Sequence, residues 1–360
     1  MRLQLTKKSS KAGVVGLDIE ADSIAATEVR VNGSVEVAAA GVAALPPGVF
    51  HEGEVADPGA LAEALKALFA EHKLGKQVRL GIANQRVVVR TVRLPVIEDP
   101  KEMAAAVRFQ AQEQIPMPLD QAVLEHQVVG GAPGEEGSAP QVDVIVVAAR
   151  RDMVSGFVEP IRRAGLQPVG IDLSAFAMIR ALAGVAAPLP EAGEPASSAV
   201  LYCNLGDVTN LAVARGRSCL FTRVSHVGME AIAGELAAAR GLLPEHAAQW
   251  LSYVGLERPE AEIEGDPETV VAARRALVGG VTGLIDELRL SLDYYGAQEA
   301  ALPVERIVLC GPGSAIAGLP ARMEERLGLP IAGARPAALE RYDAATAARL
   351  TLPLGLALES

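Results

Sequence analysis

The sequence predicts an α/β protein with more than one domain. Short runs rich in β-branched residues alternate with longer stretches rich in alanine and leucine that have helical periodicity. The 360 residues are the length of two to three ordinary domains. Half of the residues are hydrophobic and only 3% are aromatic, which indicates a large aliphatic core and excludes disorder over the whole length.

Composition excludes several classes of function. Lys and Arg number 33 against 44 Asp and Glu, and the net charge of -11 disfavours nucleic acid as a partner. The three cysteines, Cys203, Cys219 and Cys310, lack the spacing of a zinc site or a disulfide framework, which indicates a reduced, cytoplasmic location. No stretch has the composition of a signal peptide or a membrane span, so we expect no direct membrane insertion and any membrane association to be peripheral.

The first part of the chain is predicted to be a sheet followed by a helix. Strands are expected over residues 14–19, 23–31 and 34–43, the last two joined at Asn32-Gly33, a strong hairpin signal. A helix over 58–72 follows, with Asp57 placed to cap its start and Gly75 after its end. The strands predicted at 78–82 and 87–94 are expected to continue the first sheet.

A change of pattern after Pro95 predicts an inserted compact unit. Its elements are a helix, two strands flanking a Gly- and Pro-rich loop, a helix and a strand, predicted at 101–114, 122–129, 142–148, 151–164 and 168–171, with the loop at 130–140.

The second half repeats the logic of the first. A Gly-, Pro- and Ala-rich segment, 184–198, predicts a domain boundary. Strands at 199–204, 209–214 and 219–224, a long helix at 267–297, a strand at 307–310 and a helix at 318–327 are predicted beyond it.

The start of each half has the chemistry of a phosphate-binding hairpin. A strand that ends in Asp or Asn, a turn with Gly, and a strand that begins with Ser or Thr can direct N–H groups and a hydroxyl at an anion. The acid can hold the water shell of Mg²⁺. Asp18, Asp22 and Ser23 supply these groups in the first half, and Asn204, Gly206 and Thr209 in the second. Because one such hairpin is common in proteins, only the paired occurrence favours phosphate binding.

Ordered motifs along nearly the whole chain carry a family resemblance. They are GLDI at 16–19, LPPG at 45–48, QAQEQIPMPL at 110–119, AGLQP at 164–168, LIDELRLSLDYY at 284–295 and IVLCGPGSAIAGLP at 307–320. In this order they resemble the type IV pilus assembly PilM family, a relative of the division protein FtsA within the actin-like ATPase superfamily. The resemblance implies a two-lobed actin-like (ribonuclease H-like) fold with an FtsA-type inserted subdomain.

The resemblance also implies domain boundaries. The first-lobe core would be 12–95, completed by 169–195 and 340–360. The inserted subdomain would be 96–168 and the second lobe 196–339.

The resemblance further implies a nucleotide site, with Asp18 on the metal side. The implied set is Asp18, Asp22, Ser23, Asn204, Gly206, Thr209, Gly228, Glu230, Gly311, Gly313 and Ser314. Three departures weaken it: Glu20 stands where the family has Gly, Asn204 where it has Asp, and Pro312 where it has a second Gly. We therefore expect ATP with Mg²⁺ to bind weakly or not at all, and at most a weak ATPase. Asp207 is expected to be a turn residue.

For the partner, the resemblance implies docking of the cytoplasmic N-terminal peptide of a PilN-like single-pass membrane protein. The groove would lie between the first lobe and the inserted subdomain, with pilus motor ATPases and a second copy of the chain as further candidate partners. The expected contact residues are Val87, Val88, Val89, Arg90, Val107 and Gln110.

Two other functions stay open from the sequence. An FtsA-like division protein tethers filaments to membrane through a basic amphipathic C-terminal helix, and the ending TLPLGLALES has no basic residue. A small-molecule kinase of the same fold would need an intact phosphate clamp and a catalytic carboxylate. The pilus-platform scaffold is therefore the preferred hypothesis.

Overall fold

The computed structural model describes residues 13–132, 140–186, 198–298 and 301–358, so most of the predicted loop at 130–140 and linker at 184–198 lies outside the described residues. The strands are β1 (Val15–Ile19), β2 (Ser23–Val31), β3 (Val35–Ala44), β4 (Phe50–His51), β5 (Glu54–Val55), β6 (Gln77–Ile82), β7 (Val88–Pro95), β8 (Ala122–Ala132), β9 (Gln141–Arg150), β10 (Gln167–Leu173), β11 (Ala199–Leu205), β12 (Thr209–Arg215), β13 (Ser218–Ser225), β14 (Val304–Cys310) and β15 (Ile331–Gly333). The helices are α1 (Pro58–Glu71), α2 (Pro100–Gln114), α3 (Arg151–Arg163), α4 (Ser174–Ala186), α5 (Met229–Arg240), α6 (Pro244–Val254), α7 (Pro267–Gly296), α8 (Leu319–Leu327) and α9 (Ala344–Ala357).

The first lobe is built on a five-stranded sheet in the order β10-β6-β1-β2-β3. β1, β2 and β3 form an antiparallel meander, and the predicted Asn-Gly turn between β2 and β3 is confirmed, with Gly33 at φ +79°. Helices α1 and α3 cover one face of this sheet, and α9 covers the other. The predicted cap of α1 is also confirmed, since the Asp57 carboxylate accepts from two N–H groups of the first turn.

The second lobe repeats this arrangement. Its sheet has the order β13-β12-β11-β14-β15, again an antiparallel meander followed by two parallel strands. Helices α5 to α8 cover the outer face, and α4 packs on the inner face. The similarity between the starts of the two halves of the sequence therefore corresponds to a repeated topology.

Two helices that the sequence patterns did not predict, α4 and α9, pack on each other between the two sheets. Helix α9 contains Pro353 and Gly355, which normally interrupt helices. A Cβ at Gly355 would overlap the carbonyl group of Ala177 in α4, and one at Gly16 would overlap the Pro353 carbonyl oxygen. The close approach of these backbones explains both glycines.

The small module is a three-stranded sheet, β7-β9-β8, covered on one face by α2. The module begins and ends at different elements from those predicted. Strand β7, expected to continue the first sheet, pairs with β9 because Val92 and Leu94 pack against α2. Helix α3 and strand β10, expected in the inserted unit, belong to the first lobe, where Phe157 and Ile161 are buried and β10 pairs with β6. Periodicity identifies a strand but not the sheet that it joins.

The long helix α7, predicted at 267–297, spans 30 residues and packs one face into the core of the second lobe. In the part of the chain that the structure describes, neither α7 nor any other helix is long and apolar enough to cross a membrane.

Candidate functional site

The turns after β1 and β11 face each other across the cleft between the lobes and are in direct contact. The Ala21 N–H of the first turn donates a hydrogen bond to the Asp207 carboxylate of the second. The Glu20 carboxylate lies directly against Gly206, in the space that a side chain at that position would need. The predicted paired hairpins therefore do converge, but protein groups fill the space between them.

Four acidic residues, Asp18, Glu20, Asp22 and Asp207, form what we call the carboxylate cluster. Arg349, on α9, forms ion pairs with two members of the cluster. Its guanidinium lies 3.3 Å from a Glu20 carboxylate oxygen and 2.6 Å from one of Asp22. Arg349 also donates to the hydroxyl of Ser23, which itself bonds Asp22 at 2.8 Å. The predicted cleft residues Asp22 and Ser23 are therefore engaged by this arginine.

The surroundings of the cluster shift the pKa values of its acidic groups in different directions. Burial, and next the charge of Asp207, raise the pKa of Asp18 to about 7. Burial, and next the charge of Asp18, raise the pKa of Glu20 to about 8. Burial and the nearby Glu20 also raise the pKa of Asp207. For Asp22, burial opposes ionisation, but the hydrogen bond from Arg349 prevails and lowers its pKa.

Little space remains beside the cluster. The cavity lined by Asp18, Glu20, Asn204 and Asp207 has a volume of about 30 Å³, enough for roughly one water molecule. Oxygens of Glu20, Asp22 and Asp207 lie within 4.8 Å of one another, and Asp18, the expected metal-side residue, is not part of this trio. Carboxyl groups of Asp18, Glu20 and Asp207 line this small space.

The remaining residues of the predicted nucleotide site mostly make structural contacts within the second lobe. The Thr209 hydroxyl donates to the carbonyl of Val227 at 2.5 Å, and Gly228 packs directly on the backbone of Asp207. Asn204 is buried, and its amide oxygen is 3.5 Å from the Cys310 sulfur. Ser314 donates to the carbonyl of Gly311 at 2.7 Å.

The short turn around Gly313 completes this part of the site. Gly311 is in the left-handed region at φ +81°, and a Cβ there would crowd the amide oxygen of Asn204. Gly313 is buried against Leu205 and Met229. Close packing therefore explains why glycine occupies both positions.

Glu230 links the two lobes. Its carboxylate is 2.5 Å from Nδ1 of His51 in the first lobe, and this hydrogen bond raises the pKa of His51. Neither His51 nor Arg349 is a site residue that the sequence predicts. A largely enclosed acid such as Glu20 indicates that a cation is needed, but spacing in the sequence cannot identify that cation as Arg349, which is 329 residues away. Asp207 lies in a turn, as expected, and its carboxylate also accepts the hydrogen bond from Ala21 that joins the two turns.

A larger cavity, of about 320 Å³, lies where the module and both lobes meet. Among the expected partner residues, Val87, Val89 and Arg90 line it. Val88 and Val107 do not, because both pack in the module core, where Val107 is 1% exposed. Gln110, half-buried on α2, is not among the described residues that line the cavity. The remaining lining residues are Ile82, Asn84, Gln85, Leu173, Ala175, Asn210, Thr222, Arg223 and Val224.

Strand β7 gives this cavity an open sheet edge. It is an outer strand of the module sheet, and within the described residues only β9 pairs with it. The outer edge thus presents backbone N–H and C=O groups that an extended chain could pair with.

Two lobes with the same strand order, joined by two crossing helices, with facing hairpin turns in the cleft, define an actin-like protein. The chain belongs to the type IV pilus assembly protein PilM family, whose model matches residues 16–359.

Solved structures agree with this assignment. A chain of a PilM-PilN type IV pilus biogenesis complex is 29% identical with a TM-score of 0.78, and the match covers 96% of this chain and 97% of that one. The ethanolamine utilization protein EutJ from Carboxydothermus hydrogenoformans is 14% identical with a TM-score of 0.52, covering 96% and 88%. MreB5 of Spiroplasma citri bound to AMPPNP is 13% identical with a TM-score of 0.52, covering 96% and 95%. The last two likenesses concern the fold alone and confirm the two-lobed actin-like architecture.

Proposed function

We propose that this protein is a scaffold of the type IV pilus inner-membrane assembly platform that docks the cytoplasmic N-terminal peptide of a PilN-like membrane protein. One observation carries the proposal: a cavity of about 320 Å³ lies beside the open edge of β7. The similar PilM chain, which matches over 96% of this one, comes from a complex with PilN. Docking would hold the protein at the cytoplasmic face of the cell membrane through its partner.

The walls of the cavity suit an extended peptide. The β7 edge offers main-chain hydrogen bonds in the manner of an added strand, which gives affinity with little dependence on sequence. Val87 and Val89 offer apolar contacts for alternate side chains, and polar groups from the second lobe also line the cavity.

We propose further that nucleotide binds weakly or not at all, and that the cleft carries out no efficient phosphoryl transfer. The carboxylate cluster supports this, since the Glu20 and Asp207 side chains occupy the space between the two turns and Arg349 already pairs with carboxylates of the cluster. A titration with Mg-ATP, followed by calorimetry, tests the point. We expect no saturable heat, and a clear saturation curve would refute this part of the proposal.

The cleft and α9 also bear on the alternatives. Phosphoryl transfer by a small-molecule kinase would require the space that the carboxylate cluster occupies. Helix α9 packs its apolar residues into the first lobe and against α4, so it is not an amphipathic membrane-binding helix of the kind that an FtsA-like tether uses. Contacts with pilus motor ATPases or a second copy of the chain remain predictions.

Co-purification from gently solubilised native membranes tests the docking proposal. The variant Val89→Asp places a charge in the cavity wall, whereas Val88→Asp would instead damage the module core. Val128→Asp is the matched control, since Val128 lies 48% exposed on β8, the opposite edge of the same sheet. Wild type and control should recover a single-pass protein with a cytoplasmic N-terminal segment, and Val89→Asp should lose it. Equal recovery by all three proteins, or recovery of division proteins instead, would contradict the proposal.

A further inference from the structure

One buried side chain in the cavity wall lacks the partners that its chemistry requires. Asn210, near the start of β12, is 1% exposed, and neither its amide nitrogen nor its amide oxygen has a hydrogen-bond partner. Leaving such a group unpaired costs about 1–3 kcal/mol. Buried polar groups are nearly always paired, so an orphaned carboxamide at a cavity calls for an explanation.

Asn210 is a polar residue on a face of β12 that is otherwise lined by buried alanines. Along β12, Ala212 and Ala214 face α4 and are buried in the core between the lobes. Asn210 is two residues earlier and therefore on the same face, where α4 gives way to the cavity. The apolar pattern thus ends in a carboxamide where the helix no longer covers the sheet.

The neighbouring polar groups are already engaged. The Arg223 guanidinium is 3.0 Å from the Glu287 carboxylate and 3.2 Å from the Ser291 hydroxyl, and Thr222 donates to the carbonyl of Leu211 at 2.9 Å. Arg90 donates to the carbonyl of Val89 at 2.8 Å. Among the buried side chains that the structure describes in the cavity wall, Asn210 is the one whose donor and acceptor are both unmatched.

We propose that Asn210 recognises the main chain of the docked peptide, donating to one backbone carbonyl and accepting from one backbone N–H. The inference rests on the proposed docking function and names the group that the second lobe contributes to it. A carboxamide presents a donor beside an acceptor, which is the complement of a peptide group, whereas a simple anion would satisfy the donor alone. Because both polar atoms of Asn210 are buried, binding requires its side chain to rotate towards the cavity, and such rotamer changes are common at interfaces.

Binding of a fluorescently labelled synthetic peptide, with the sequence of the partner's cytoplasmic N-terminal segment, tests the inference on the full chain. The variant Asn210→Leu keeps nearly the same shape and removes both polar atoms. We expect its affinity to fall about 30-fold, as for the loss of two hydrogen bonds. Its melting temperature should stay equal or rise, because an unsatisfied buried group has been removed.

A scan of single backbone N-methylations in the peptide provides a second measurement. In wild type, methylation at the residue that bonds Asn210 should weaken binding, and in Asn210→Leu the same methylation should have no effect. If no position loses its sensitivity in the variant, or if the variant binds like wild type, the inference is overturned.

The outcomes separate the two proposals. Wild-type protein that does not bind the peptide, or binding that Val89→Asp leaves unchanged, would overturn the docking function and with it the inference. Binding that is lost in Val89→Asp but unaffected in Asn210→Leu would overturn the role of Asn210 alone.

Discussion

Neutralising Glu20 should change how the stability of this protein depends on pH. In the folded protein, burial raises the pKa of Glu20 from its ordinary value of 4.5 to about 8. An acid with a raised pKa stabilises the folded state fully below pH 4.5, and this contribution is lost as the pH rises towards 8. The variant Glu20→Gln removes this dependence while keeping the shape of the side chain.

The size of the effect follows from the same pKa. At about 1.4 kcal/mol per pKa unit, Glu20 alone could contribute at most about 5 kcal/mol. Because Asp18 and Asp207 compete for the same protons and Arg349 offsets part of the charge, we expect wild type to lose about 2 kcal/mol between pH 5 and pH 8.5. Glu20→Gln should lose clearly less.

Urea unfolding followed by circular dichroism at pH 5, 7 and 8.5 measures this difference. Glu36→Gln, which changes an exposed glutamate on β3, is the control with the same change in charge. Parallel pH profiles for wild type and Glu20→Gln would refute the reasoning, because they would mean that Glu20 is not held protonated in the cleft.

Three further predictions concern the cleft, the helix crossing and the cysteines. Arg349→Met removes the cation of the carboxylate cluster and should destabilise the protein by about 3–5 kcal/mol at pH 8. The loss should be smaller at pH 5.5, because the acids take up protons there. Urea unfolding at both pH values measures this difference. Gly16→Ala should destabilise the protein by several kcal/mol, because the added Cβ would overlap the backbone of α9. Gly234→Ala, in open space within α5, should stabilise it by about 0.5–1 kcal/mol. Melting temperatures that change equally in the two variants would contradict this prediction. Burial raises the pKa of the Cys203 and Cys310 thiols, so neither should react with Ellman's reagent until the protein is unfolded, and rapid native labelling would show that the strand ends open.

The candidate site could be found from the sequence only in outline. The paired hairpin motifs indicated that Asp18 and Asn204 lie in one cleft, because each lies near the end of a buried strand before a Gly- or Ser-containing turn, and both line the same small cavity. Spacing could not predict that Glu20 packs on Gly206 or that Arg349 reaches the cluster, since both contacts join distant parts of the chain. The sequence offered no sign that Asn210 would lack hydrogen-bond partners, because that depends on where α4 begins above the sheet.

Elements that depend on local information were predictable from the sequence. The Asn-Gly turn, the Asp57 cap and the alternating patterns specify strands and helices through backbone preference and side-chain period. The repeated start of each half likewise determined the repeated meander.

Tertiary structure alone decided which sheet each strand joined and whether α9 was a helix. Strand β7 has a pattern that suits either sheet, and only the packing of α2 assigns it to the module. Helix α9 contains Pro353 and Gly355 against its local preference, and burial between β1, β2 and α4 outweighs that cost. The physical reason is that the free energy of burial depends on which surfaces meet, and that is a property of the whole fold.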